Sequence, residues 1–238
     1  MRMRSAAGGG LLLVVGVACA HDLVTADAVE RHLKRTDADL AVIQSKVVPE
    51  KRAEAYYELA RRLDEIRDLL NRDIGTHGKV QGLPSNLLVS QLQVRGVTFQ
   101  VSSQTGRFPA PVGYYREALR LVPDLRQGDG AFRLLHGVFY DAFDTDPLKP
   151  RLTWAQIQEQ IRLGEQLARR SPPHPEAEEI RFIVAAHYVQ SALAAPDTVR
   201  ARLFVERARS ASDDFAARYP DSLRRAALDA MVGSLEKR

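Results

Sequence analysis

The stretch Gly106–Pro123, GRFPAPVGYYREALRLVP, decides how this chain is read. A glycine and an aromatic (Phe108) sit two apart. Tyr115 follows, then Ala118 and Leu119 on the same side of a helix, and Pro123 stops the run. Tyr115, Ala118 and Leu119 fall at i, i+3 and i+4, one face of an amphipathic helix. The small Ala118 lets a second helix come close, and Pro123 cannot continue the first.

Working upstream, nearly all of the chain after His21 carries helical period. Thr25 suits a cap for a helix running to Arg35, with Ala28, Val29, His32 and Leu33 on its apolar side. Asp37 suits the cap of a second helix carrying Leu40, Ile43 and Val47. Pro49 opens a long third one, whose stripe runs Ala53, Tyr56, Tyr57, Ala60, Leu63, Ile66, Leu69, Leu70, and Gly75 is expected to end it. Residues 74–84 then form a glycine-rich loop.

Residues 85–103 present two conflicting signals. Alternation at Val97, Phe99 and Val101 favours a hairpin turning at Arg95-Gly96. The spacing of Leu87, Leu88 and Leu92 after Ser85 favours a helix.

The pattern of Gly106, Phe108, Tyr115, Ala118, Leu119 and Pro123 resembles the second half of a tetratricopeptide repeat. That family stacks antiparallel helix pairs of about 34 residues each. The resemblance implies that 85–103 is helical and forms the first helix of the pair, with one extra residue in the turn. Pro111 stands where the family has a small residue. The expected fold class is all-α, with antiparallel hairpins stacked as an α-solenoid.

Downstream, Pro123, Pro172 and Pro220 end successive helical runs at intervals of 49 and 48 residues. Thr153 and Gln156 form a capping-box pattern before one run, and Asp197 can cap another. Further helices are expected over 130–143, 176–194 and 222–236, the last facing inward with Leu223, Ala226, Ala227, Ala230, Met231 and Leu235. FAARYPDS, ending that last interval, is similar to repeat ends of bacterial envelope tetratricopeptide proteins. The domain reading is residues 1–20 as a signal, 21–75 as an N-terminal helical part and 85–236 as the repeat-like part of one domain.

The first twenty residues carry Arg2 and Arg4, an apolar run from Leu11 to Ala18, and Ala18-Cys19-Ala20, the pattern of an export signal. Cys19 is the single cysteine, so no internal disulfide can form. Two processing routes stay open: cleavage after Ala20, or cleavage before Cys19 with lipidation of that residue. Export to the periplasm is the expectation, with membrane attachment through Cys19 in the second case.

Composition excludes more than it assigns. The chain of 238 residues is 45% apolar and 27% charged, too apolar for a disordered chain. Its net charge is +4, falling to +2 without Arg2 and Arg4. A balance that small argues against nucleic acid as a partner. Six histidines, at 21, 32, 77, 136, 174 and 187, lack metal-ligand spacing, and no phosphate loop or paired-cysteine site occurs. Asp141, Asp144 and Asp146 lack the glycine turn of a calcium loop. No cofactor, metal or catalytic group is expected.

The resemblance implies a binding module of the cell envelope that engages a protein partner through a concave groove. Leu92, Arg95, Phe99 and Ser102 would face that groove in the recognisable repeat, and Glu179, Phe182 and Val189 in the helix 176–194. The alternative is a small-ligand protein for an organic acid or lipid, accessory to a transporter. An apolar pocket with a buried arginine would favour the second reading, an open polar groove the first.

Overall fold

In the N-terminal half everything is arranged around one long helix. The computed structural model describes residues 25–80, 82–103, 105–143 and 151–235, all helix, turn and extended connection with no strand among them. Helix α2 (Pro49–His77) buries two sides. Leu59, Leu63, Ile66 and Leu70 pack towards α1 (Ala26–Gln44) and α3 (Leu83–Val94). Ala53, Tyr57 and Ala60 pack towards α4 (Val112–Leu121) and α5 (Asp129–Phe143).

Three expectations about this half change. α1 is one helix, capped by Thr25, whose Oγ1 accepts from the Ala28 N–H at 3.2 Å. Asp37 does not cap: its carboxylate pairs with Arg95 at 2.6 Å, and Thr36 beside it is fully buried. α2 runs through Gly75 and ends at Gly78, whose φ of 75° gives the left-handed C-cap.

The third change concerns 85–103. α3 begins at Leu83 and stops at Val94, and Gly96 turns the chain with φ of 75°. Beyond it the backbone is extended, with Val97 and Phe99 buried and Thr98 and Gln100 exposed. Each of the two competing signals therefore applies to its own part of the segment. The leucines wind, and the β-branched run after a left-handed glycine extends. Phe99 lies stacked on Phe108 at 4.8 Å, a contact a continuous helix would deny it.

In α4, Tyr115 and Ala118 are fully buried, on the face their spacing marks. Their partner is α2 rather than the residues just upstream. The Tyr115 hydroxyl donates to Asp64 at 2.6 Å, and its ring meets Tyr57 edge-on at 6.0 Å.

The C-terminal half is organised by α7 (Ala177–Ala194), packed among α5, α6 (Trp154–Ala168), α8 (Thr198–Arg218) and α9 (Arg225–Leu235). Thr153 and Gln156 close the expected capping box, and Asp197 caps α8 by accepting from the Arg200 N–H at 2.8 Å. Gly164 lets α6 lie tightly on α7: a Cβ there would come within 2.4 Å of Val184 Cγ2. α9 turns inward only part of the side expected: Met231 is in the core and Leu235 packs against it, but Leu223 and the alanines are not inward. Leu228, Met231 and Val232 are buried, while Leu223 is 97% exposed and Ala226, Ala227 and Ala230 face outward.

Candidate functional site

The seven groove candidates do not share a surface. Leu92 and Val189 are fully buried core residues, and Phe99 is 3% exposed under Phe108, so no groove reaches these three. Arg95 caps α3 and pairs with Asp37 on α1. Ser102, Glu179 and Phe182, by contrast, converge on one concave region between the two halves of the fold. Cys19 lies outside the described residues, as do Asp144 and Asp146. Trp154 packs edge-on against Phe204 at 5.3 Å.

That region consists of two adjoining chambers. The larger, about 870 Å³, has walls of Phe108, Phe139, Tyr140, Phe182, Leu152 and Met231. The smaller, about 280 Å³, is lined by Asp64, Arg133, Glu176 and Glu179 together with Phe132 and Gly137. Arg67, Asp68, His136 and Arg224 border both and form a neck between them.

Local sequence sets each wall. Phe132, His136 and Tyr140 recur every four residues along α5, and their rings form a ladder, 5.6 Å between the first two and 4.5 Å between the second two. Gly137 lies on the same stretch of α5, and a Cβ there would come within 2.8 Å of Ala110. The segment 105–110, with Ser102, closes one side of the large chamber. It is clamped by Asn71, whose Oδ1 accepts from the Phe108 N–H at 2.8 Å while its Nδ2 donates to the Phe108 carbonyl at 2.9 Å. Asp141 holds the same segment by accepting from the Ala110 N–H at 2.8 Å.

The neck arginines are held from behind. Arg67 pairs with Asp64 at 3.1 Å and Asp68 at 2.8 Å, and its side chain is only 15% exposed. Arg224 pairs with Glu178 at 3.4 Å and with Glu179, and lies over the Phe182 ring at 6.0 Å. Tyr140 donates to Glu179 at 2.6 Å; burial and that carboxylate push its hydroxyl pKa up to about 12. Burial, then the charge of Arg67, lowers the His136 pKa, so its imidazole is neutral at pH 7. Burial raises the Asp64 carboxyl, against the pull of Arg67 and the Tyr115 hydroxyl.

The arrangement offers apolar contact area, arginine N–H groups already oriented, and fixed carboxylates. Among the described residues no group of three or more histidine, cysteine, aspartate or glutamate side chains could hold a metal ion, and no helix is long and apolar enough to cross a membrane.

Sequence reading missed Arg67 and Arg224 because each looks like an ordinary surface residue, and His136 because a histidine on a mixed helical face reads as a partly buried, hydrogen-bonded side chain. The one local signal was the ring period of Phe132, His136 and Tyr140. Comparison of the chain with family models, with curated proteins and with solved structures finds no match in any of the three.

Proposed function

We propose that this protein binds a small amphipathic molecule, with the apolar body of the ligand in the large chamber and its polar end at the neck. One observation carries the reading: a chamber of about 870 Å³, with the rings of Phe108, Phe139, Tyr140 and Phe182 in its walls, is bordered by arginines that are already oriented. Ligand sites are commonly concave, mostly apolar spaces of about 300–1,000 Å³ with a few placed polar groups. Preformed ion pairs behind Arg67 and Arg224 spare a ligand the entropy of ordering those side chains.

Within this proposal the chain is an exported protein of the bacterial envelope, released or lipidated at Cys19. A protein partner in a concave groove has less support, because Leu92, Phe99 and Val189 are buried where it would need them accessible.

The experiment is titration with N-phenylnaphthylamine, a neutral apolar dye that brightens when removed from water. Saturable binding is expected, and Thr105→Trp, which places a bulky ring at the chamber wall, is expected to weaken it several-fold. A dye that gains no fluorescence with the native protein would end the small-ligand reading.

A further inference from the structure

The two chambers differ in their charges, and the difference selects a head group. Among the described residues, four arginines (Arg67, Arg107, Arg151, Arg224) border the large chamber against two aspartates (Asp68, Asp141). Three arginines (Arg67, Arg133, Arg224) border the small one against four carboxylates (Asp64, Asp68, Glu176, Glu179). The sign of the excess therefore reverses across the neck, positive on the apolar side and negative beyond it.

The carboxylates of the small chamber are not equivalent. Asp64 accepts from the Tyr115 hydroxyl at 2.6 Å and pairs with Arg67. Glu179 accepts from Tyr140 and pairs with Arg224. Asp68 holds Arg67 but its side chain is 61% exposed. Glu176 forms no ion pair among the described residues; its backbone is engaged, the N–H donating to His174 Nδ1 at 3.1 Å and the carbonyl accepting from the Ile180 N–H at 3.0 Å. A cation entering the small chamber would meet Glu176 and the open side of Asp68.

A guanidinium carries five N–H donors, and the carboxylates behind Arg67 and Arg224 do not use them all. An anion at the neck can take those left over. A plain fatty acid would satisfy the neck but leave Glu176 and Asp68 facing its negative charge. An alkylammonium would reach those acids only past the arginines.

We propose, resting on the small-ligand reading above, that the ligand is a single-chain zwitterion of the phosphoethanolamine type. Its apolar chain fills the large chamber, its phosphate meets Arg67 and Arg224 at the neck, and its ammonium lies beyond them, between Asp68 at the far side of the neck and Glu176 in the small chamber. The order of apolar chain, anion and cation along such a molecule is the order in which the walls change.

The test is displacement of bound N-phenylnaphthylamine by lysophosphatidylethanolamine, lysophosphatidate, the fatty acid and the alkylamine of one chain length, all below their micelle-forming concentrations. Lysophosphatidylethanolamine is expected to displace the dye about tenfold more tightly than lysophosphatidate, one charge-assisted contact's worth. Glu176→Gln should remove most of that tenfold advantage and leave dye and lysophosphatidate binding intact. Arg224→Gln should weaken both phosphates by a larger factor than it weakens the dye. Equal displacement by all four compounds, or the fatty acid binding best, overturns the head-group assignment while the dye still binds. A dye that does not bind removes the chamber reading and this one with it.

Discussion

Helices α3 and α7 have comparable apolar content and meet different fates. LPSNLLVSQLQV and AEEIRFIVAAHYVQSALA are both apolar on more than one side. α7 is covered by α5, α6, α8 and α9, and buries even His187, Gln190 and Ser191. α3 rests chiefly on α1 and α2, burying Leu88 and Leu92 but leaving Leu83 at 81%, Leu87 at 46% and Val94 at 79% exposure. Apolar content states what a helix could bury. The number of elements that reach it decides what it does bury.

The comparison breaks most readily at its buried end. Ile183 is fully buried in α7, so Ile183→Asp places a carboxylate in the core and is expected to cost more than about 4 kcal/mol, abolishing a cooperative unfolding transition. Urea unfolding followed by circular dichroism checks this, and a well-folded variant would mean α7 is not the centre of that half.

A smaller effect follows from His187, which is fully buried with Nδ1 2.8 Å from Gln190 Oε1. Burial lowers its pKa from 6.5 to about 4. As pH falls below the unfolded value, the unfolded chain takes the proton first, so stability declines until the native pKa is reached. The loss should total about 3 kcal/mol by roughly pH 4. Unfolding free energies measured across that range, compared with those of His187→Gln, should show a steeper fall for the native protein; parallel slopes would contradict the assignment.

At the end of α3 the expected change is about 1 kcal/mol. Gly96 has open space around it but φ of 75°, so Gly96→Ala should destabilise through backbone strain alone, measured as a lowered thermal midpoint. Stabilisation would mean that the helix continues past Val94. Smallest of all, Val94→Lys on the exposed side of α3 should shift stability by no more than about 0.5 kcal/mol. A loss of several kcal/mol there would show that something covers α3.

How much was legible from sequence divides along the same line. Thr25, Thr153 and Asp197 cap the helices they were expected to cap, because a cap involves a side chain and an N–H three residues away. The buried pair Tyr115 and Ala118 was legible for the same reason. Asp37 misled because its partner, Arg95, lies 58 residues on. α9 misled because alanines fit either side of a helix. Arg67 and His136 come from two helices and Arg224 from the turn before α9, and each is unremarkable on its own.

Sequence by itself therefore determined the helical class, most of the starts and stops, and which residues of α4 turn inward, since these depend on periodicity and on contacts within a turn or two. Only the tertiary structure decided that α4 packs on α2, that the chain leaves helix at Gly96 to stack Phe99 on Phe108, and that Arg67 and Arg224 meet at one neck. Those outcomes depend on pairs far apart in the chain, whose energies no local pattern encodes.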